Sequence, residues 1–301
     1  MSHWFKGNTH AHTTNSDGDA SPDAVVAWYE EHGYHFLALS DHNVLTPPAV
    51  GRPTSLTLLS AEEVTMPLWV HVNGLGLHSA IEPPVAPEAL AMADQKPWFV
   101  EQALAAIEAQ GALAHVNHPN FLWALNAELL ERIPGVRFLE VFNGHHASNN
   151  LGDSYRPSVE SLWDRLLQRG RLVYGVASDD AHHYATFDPI HDNPGRGWIW
   201  VRTEDARPES ILAAMRAGDF YASTGVTLAE CDVRGRELCV TVAGEAPATI
   251  ELLGTGGKVL DQRCGLEARF ALPSSEPYVR ARVSGPHGQR AWLQPVWQAR
   301  S

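Results

Sequence analysis

The residues best suited to chemistry are histidines and carboxylates that recur at the ends of short apolar runs. In Gly7-Asn8-Thr9-His10-Ala11-His12-Thr13-Thr14-Asn15-Ser16-Asp17-Gly18 two histidines stand two apart. On an extended backbone such residues share a face, so His10 and His12 can offer two imidazoles to one divalent ion. Asp17-Gly18 follows on a turn from which a carboxylate can reach the same place. The run Leu37-Ala38-Leu39-Ser40 breaks into Asp41-His42-Asn43, and residues 56–60 lead into Glu62-Glu63-Val64-Thr65. His71 lies inside an apolar run, where an unpaired imidazole is costly to bury. Residues 112–116 end in Asn117-His118-Pro119-Asn120, and 136–142 end in Asn143-Gly144-His145-His146. Residues 173–177 end in Ser178-Asp179-Asp180-Ala181-His182-His183. One such end reads as a turn with a surface histidine. Several together point to a single polynuclear metal site built from nitrogen and oxygen ligands, a donor set that suits Zn, Mn or Fe.

The distribution of residue types supports that reading. Of the 16 histidines, only His287 lies beyond residue 225. The three cysteines, Cys231, Cys239 and Cys264, are late, odd in number and without CxxC spacing, so neither a disulfide framework nor a thiolate site is indicated. The net charge is −13, and residues 226–301 hold nine Lys/Arg against eight Asp/Glu, so the acidic excess belongs to the first 225 residues. No nucleic-acid partner is expected, because phosphate backbones are held by clusters of Lys and Arg. No run of about 18 apolar residues that a membrane span needs is present. With no signal-peptide pattern at the start, a cytoplasmic location is expected. The segment from Gly254 to Lys258 has a phosphate-loop look, but no Ser or Thr follows the lysine and its surroundings are β-like, so a hairpin turn is expected. There is no GxSxG, hence no serine-hydrolase elbow.

The elements that must position these groups are legible in outline. Strands are expected over 4–9, 36–40, 56–64, 69–73, 112–116, 136–142, 172–177 and 197–201. Ser21-Pro22-Asp23 reads as an N-cap, a proline in the first turn and an early acid, opening a helix to about His32. Further helices are expected over 99–110, 160–169 and 208–217, stopped by Gly111, Gly170 and Gly218. Strand–helix alternation argues for an α/β domain over 1–225 with a largely parallel sheet, open or closed into a barrel. Ligand sites of such sheets lie at the carboxyl ends of the strands, where the polar clusters fall. From 226 to 301 the texture becomes all-β, with strands expected over 237–242, 249–253, 268–272, 278–283 and 291–296 and no helix.

Taken together, Gly-Asn-x-His-Ala-His-Thr, Ser-Asp-Gly, Asp-His-Asn, Ala-Glu-Glu-Val-Thr, Asn-His-Pro and Asp-Ala-His resemble the PHP (polymerase and histidinol phosphatase) superfamily. His71-Val-Asn-Gly-Leu-Gly, Glu140-Val-Phe-Asn-Gly144 and the stretch ending Ala-Gly-Asp-Phe-Tyr-Ala-Ser-Thr-Gly225 are similar to its carbaryl-hydrolase-like (CehA/McbA) branch. The likeness covers roughly residues 4–228. It implies a distorted (β/α)7 TIM-like barrel, with a small all-β C-terminal region outside it, and two or three divalent ions at the strand ends. By that resemblance His10 and His12 share one metal with Glu63 and Asp180. Glu63 bridges to a second metal held by His71 and His118, and Asp17, His42 and His182 hold a third. Glu63 fits the family's Glu-x-Thr pattern better than Glu62. The family's Ser-Asp-x-His carries an extra acid here, so Asp180, two before His182, is the expected ligand and Asp179 the fallback. Glu63, Asp180 and His182 are the candidate catalytic residues, and Asn143, His145 and His183 the candidate substrate contacts. His115 is expected behind the site, Asp41 as an orienter of an imidazole, and Tyr184, Arg196 and Trp198 along the pocket.

The implied chemistry is hydrolysis by a metal-activated hydroxide, which needs no nucleophilic side chain. A small-molecule phosphoester is the expected substrate. A carboxyl ester or carbamate is the alternative, and a non-catalytic metal-binding or sensing protein is a further one.

Overall fold

The structure, a computed structural model, describes residues 2–47 and 51–298. In chain order its elements are β1 (His3–Asn8), α1 (Pro22–Glu31), β2 (Phe36–Leu39), β3 (Thr57–Met66), β4 (Val70–Leu75), α2 (Met92–Ala109), β5 (Leu113–Val116), α3 (Ala127–Glu131), β6 (Phe138–Asn143), α4 (Val159–Gln168), β7 (Tyr174–Ser178), β8 (Trp198–Thr203), α5 (Pro208–Ala217) and β9 (Phe220–Ser223). Among the described residues, strands follow, interrupted by one short 3-10 turn at Thr255–Gly257: β10 (Leu228–Arg234), β11 (Glu237–Val242), β12 (Ala248–Leu253), β13 (Val259–Gly265), β14 (Glu267–Ala271), β15 (Tyr278–Ser284), β16 (Arg290–Leu293) and β17 (Val296–Trp297). Gly254–Lys258 forms the turn between the antiparallel strands β12 and β13.

The helix signals hold with one exception. Ser21 caps α1 with its side chain on the Ala24 amide, and Gly218 ends α5 in the left-handed conformation that glycine adopts without strain. α2, expected from residue 99, begins at Met92 and runs through Pro97. A proline there removes the bond to the carbonyl four residues back. That carbonyl, Ala93 O, instead accepts from Arg132 Nη1 at 3.1 Å, so the helix continues with its acceptor satisfied.

The first region is an alternating α/β arrangement around a large sheet, but the sheet is mixed rather than largely parallel. β1, β2 and β3 are parallel, β4 runs antiparallel to both β3 and β5, and β5, β6 and β7 are parallel again. The reversal follows from the link between β3 and β4, the three residues Pro67–Trp69, far too short for a crossover connection. Beyond their ends β1 and β7 meet in a parallel bridge, Ala11 to Ala181. There His12 N donates to Ala181 O and Asp180 N to His10 O, both at 2.9 Å. β8 and β9 extend the sheet on the other side of β1, antiparallel.

The last strands are joined to that sheet. β16 pairs antiparallel with β9, placing Leu293 opposite Tyr221, and β15, β12 and β13 continue outward. β10, β11 and β14 form a separate three-stranded sheet. A cluster including Tyr221, Leu238, Phe270 and Val283 fills the space among these strands. Where β15 crosses α4, the buried Arg280 lies 4.6 Å over the Trp163 ring and pairs with Asp164 and Glu160.

Candidate metal centre

Each strand end delivers its polar residues to one place because the apolar residues behind them are fixed in the core. His10 and His12 leave the end of β1, and His42 follows β2. Glu63 lies within β3 and His71 within β4, while His118 follows β5 and Asp180 and His182 follow β7. Glu63 is the hub. Its Oε1 lies 3.2 Å from His10 Nε2, 3.1 Å from His71 Nδ1 and 3.4 Å from His118 Nε2. Its Oε2 lies 3.3 Å from His12 Nε2 and 2.9 Å from His42 Nδ1. Asp180 Oδ1 stands 3.1 Å from Nε2 of both His10 and His12.

Three groups of converging donors result. His10, His12, Glu63 and Asp180 form one, all buried, and His42, Glu63 and His71 form a second. His12, Asp17, His42 and His182 form a third, with Asp17 3.4 Å from His182 Nε2 and 3.5 Å from His42 Nε2. The partition differs in detail from the expected one. His42 joins Glu63 and His71, while His118 Nε2 lies between Glu63 and Asp180, 3.4 and 3.8 Å away. All nine expected ligands nevertheless belong to one linked cluster, each within 4 Å of at least one other.

The donors fit a cation. His10 Nδ1–H is committed to Glu140 at 2.8 Å, so Nε2, facing two carboxylate oxygens, is the position that a proton or a metal ion must fill. His10 Nε2, His12 Nε2 and Glu63 Oε2 are buried without a hydrogen-bond partner. Acceptors packed against acceptors repel unless a proton or a metal ion stands among them. Ligand atoms about 2.0–2.1 Å from one tetrahedral ion lie roughly 3.3 Å apart, the spacing of this first group.

The same crowding governs the protons. Burial disfavours charge on His10, but Asp180, Glu63 and Glu140 outweigh it and hold the ring well above the usual imidazole range. Burial likewise opposes charge on His42, yet Glu63 and Asp17 raise it to about 10. Glu63 and Asp180 are held well below the carboxylate range by the surrounding histidines, despite burial. In the metal-free protein the carboxylates are therefore ionised at neutral pH while His10 and His42 keep protons that metal must displace. Affinity for a divalent ion should fall as pH falls, about tenfold per unit for each proton displaced. Competition with a chromophoric chelator at pH 6, 7 and 8 measures this, and a flat profile would contradict it.

Supporting residues explain the orientations. Glu140, whose role carries no local sequence signal, takes His10 Nδ1–H, the His118 amide at 2.8 Å, Asn143 Nδ2 at 2.9 Å and the Ser178 hydroxyl at 2.5 Å. His10 also pulls Glu140 down to about 2 against its burial. Asn117 donates to Glu63 at 2.6 Å, and Asn143 to Asp180 at 3.1 Å. Gly144 is required beside it, since a Cβ there would lie 2.6 Å from Asp179 O.

Several expectations are corrected. Asp41 orients no imidazole; it takes the Thr13 amide at 2.8 Å and the hydroxyls of Thr13, Ser16 and Thr46, fixing the turn that carries Asp17. Asp179 turns away from the ligands to accept from Tyr29 Oη and the amides of Arg196 and Gly197. Asp180, at φ 51°, turns inward. Arg196, expected along the pocket, has its guanidinium taken up by the carbonyls of Gly144, Asp188 and His191. Tyr184 and Trp198 pack in the apolar cluster beneath α1. His115 matches its expected place, fully buried behind His10, and burial pushes it down to about 4. His145, His146 and His183 gather around Asp192, a residue the sequence did not single out.

No family model and no curated protein matches the chain. Among solved structures it superposes on a two-domain protein from Bacteroides vulgatus described as containing a predicted PHP-like metal-dependent phosphoesterase. The TM-score is 0.55 at 14% identity, covering 98% of this chain and 96% of that one. The likeness is one of fold, and it extends through the C-terminal strands. A candidate metal-dependent phosphoesterase from Bifidobacterium adolescentis gives TM-score 0.41 at 17% identity, over 58% of this chain and 87% of that one. An amidohydrolase from Chromobacterium violaceum gives 0.42 at 18%, over 62% and 93%.

Proposed function

We propose that the chain is a metal-dependent hydrolase of the PHP type, with a distorted (β/α)7 barrel, acting on a small-molecule phosphoester in the cytoplasm. The observation that carries this is the buried convergence of His10, His12, Glu63 and Asp180, whose lone pairs and charges call for a cation. His71 and His118, with His42, Asp17 and His182, provide for a second and a third ion. Zn, Mn or Fe held there supplies Lewis acidity and brings water within reach of ionisation near neutral pH.

The chain's own residues complete the site. Glu140 fixes the His10 ring, Asn117 and Asn143 hold Glu63 and Asp180, and the core behind the strand ends excludes bulk water. Asp17 and His182 stand at the more open side, Asp17 being 55% exposed, where substrate enters. A carboxyl ester or carbamate is the second reading. One observation favours it: Phe121 stands 5.0 Å from the His118 ring and 6.3 Å from exposed Trp69, an apolar flank beside the ligands.

Elemental analysis of the purified protein before and after chelation, with a phosphoester and aryl-ester panel on both samples, tests the proposal. About two or three metal equivalents per chain are expected, with phosphoester hydrolysis lost on chelation and restored by Mn, Fe or Zn. Less than one equivalent after reconstitution overturns the metal centre. Cleavage of aryl esters alone overturns the phosphoester assignment.

A further inference from the structure

A cavity of about 700 Å³ lies where the C-terminal strands meet the first region, lined among others by Phe142, His146, Asn149, Leu151, Arg290 and Trp292. His145 forms part of its wall, and the His145 ring lies 5.9 Å from that of His182 in the metal centre. His145 therefore stands between the cavity and the candidate metal centre, with one face toward each.

The histidine pair on that wall has defined protonation. His145 Nδ1 accepts the Ala147 amide at 3.0 Å, which puts its proton on Nε2, the edge 3.2 Å from Asp192 Oδ2. With Nε2 carrying a proton, His145 is poorly placed to ligate a metal beside Asp192. The cluster of His145, His146 and Asp192 is better explained as a hydrogen-bonded set. His146 stacks on His145 at 4.6 Å and is held by both its amide and its Nδ1, each 2.7 Å from Asp192 Oδ1. Nδ1 is thus the donor to Asp192, and Nε2 remains for the cavity from a side chain that is half exposed. Asp192 is itself buried, and its carbonyl takes the amides of His182 and His183 at 2.9 and 3.0 Å. A buried carboxylate on Nδ1, with Nε2 left for a cleft, is the arrangement that fixes the tautomer and orientation of an acid–base histidine.

We propose that this cavity binds the alcohol half of the phosphoester and that His146, positioned by Asp192, is the acid that protonates the departing oxygen. The inference rests on the phosphoesterase reading above. A bond forms between water oxygen and phosphorus while the bond from phosphorus to the ester oxygen breaks, its electron pair passing to that oxygen. The ester oxygen takes the Nε2 proton of the His146 imidazolium and leaves as the alcohol. Water keeps one proton in the phosphate product and gives the other to solvent. The neutral ring, still bonded to Asp192 through Nδ1–H, regains a proton from solvent at its exposed edge.

Help of this kind matters most when the leaving oxygen is strongly basic. The test compares wild type, His146→Ala and Asp192→Asn, all metal-loaded, on p-nitrophenyl phosphate and on an alkyl phosphate such as glycerol phosphate. For His146→Ala, kcat/KM should fall about 10²–10³-fold on the alkyl ester and about tenfold or less on the aryl ester, with metal content unchanged. Asp192→Asn should move in the same sense. In the metal-free wild type, ring ¹⁵N shifts should report His146 as the Nδ1–H tautomer, a form lost in Asp192→Asn. Equal losses on the two esters, or an Nε2–H tautomer in wild type, overturn the role of His146 alone. No cleavage of either ester by metal-loaded wild type overturns the phosphoesterase reading, and this role with it.

Discussion

Glu63→Ala should abolish metal loading at micromolar concentrations and lower phosphoester turnover by at least about 10³-fold, the largest effect expected of one substitution here. Its two oxygens lie within 3.4 Å of nitrogen atoms on five histidines drawn from four strands or strand ends. No neighbouring acid can replace it. Glu62, adjacent in sequence, points to the other face of β3 and accepts the Ile81 amide at 2.9 Å. Glu62→Gln should therefore keep its metal, which makes it the matched control. Plasma mass spectrometry on both variants decides the matter. Full stoichiometry in Glu63→Ala would show that the histidines assemble the centre without a shared carboxylate.

The second large effect lies outside the candidate metal centre. Arg280→Ala should destabilise the protein by about 3–5 kcal/mol, because it leaves two buried carboxylates without their common partner. Arg280 Nε lies 2.8 Å from Asp164 Oδ1, and its Nη2 lies 2.7 Å from Asp164 Oδ2 and 2.8 Å from Glu160 Oε1. The two acids differ in what remains to them. Glu160 also has Arg282 at 3.2 Å and stays low despite burial, whereas burial keeps Asp164 above its usual range even beside Arg280. Asp164 is thus the group that the substitution strands. Adding Asp164→Leu to Arg280→Met should recover most of the loss. Urea unfolding of the single and double variants measures both. A drop below about 1 kcal/mol in Arg280→Ala would mean that water reaches the seam.

The sequence carried the ligands further than it carried their supports. His10 and His12 are legible because strand periodicity makes neighbours two apart share a face, and Asp41-His42 and Asn117-His118 because apolar strands stop abruptly there. What is not local was not legible. Glu140 serves His10 and His118, and Asp192 serves His146, from more than twenty positions away, a role that the residues beside them do not state even though Glu140 opens a stretch quoted for the branch resemblance. Asp41 sits next to the candidate ligand His42, and its side chain serves a loop instead. The strand β4 was expected over 69–73, but its reversal was hidden because its short connection contains Leu68 and Trp69 at positive φ, which neither residue type advertises. β13 was missed because it lacks an apolar face, with most of its side chains exposed. Pro97 concealed the first turns of α2, since the arginine that takes up the freed carbonyl is 35 positions later in the chain.

The bridge between Ala11 and Ala181 has a mechanical side. The two hydrogen bonds that join the ends of the run from β1 to β7 are made by the backbones of His10, His12, Asp180 and Ala181. Three of those four residues also send side chains into the candidate metal centre. Ions held there would work as a clasp, fastening through side chains the junction that the backbone closes with only two bonds. Catalytic loading and the tightness of the whole molecule would then be wound on the same spring, and a strain applied to either would be felt in the other.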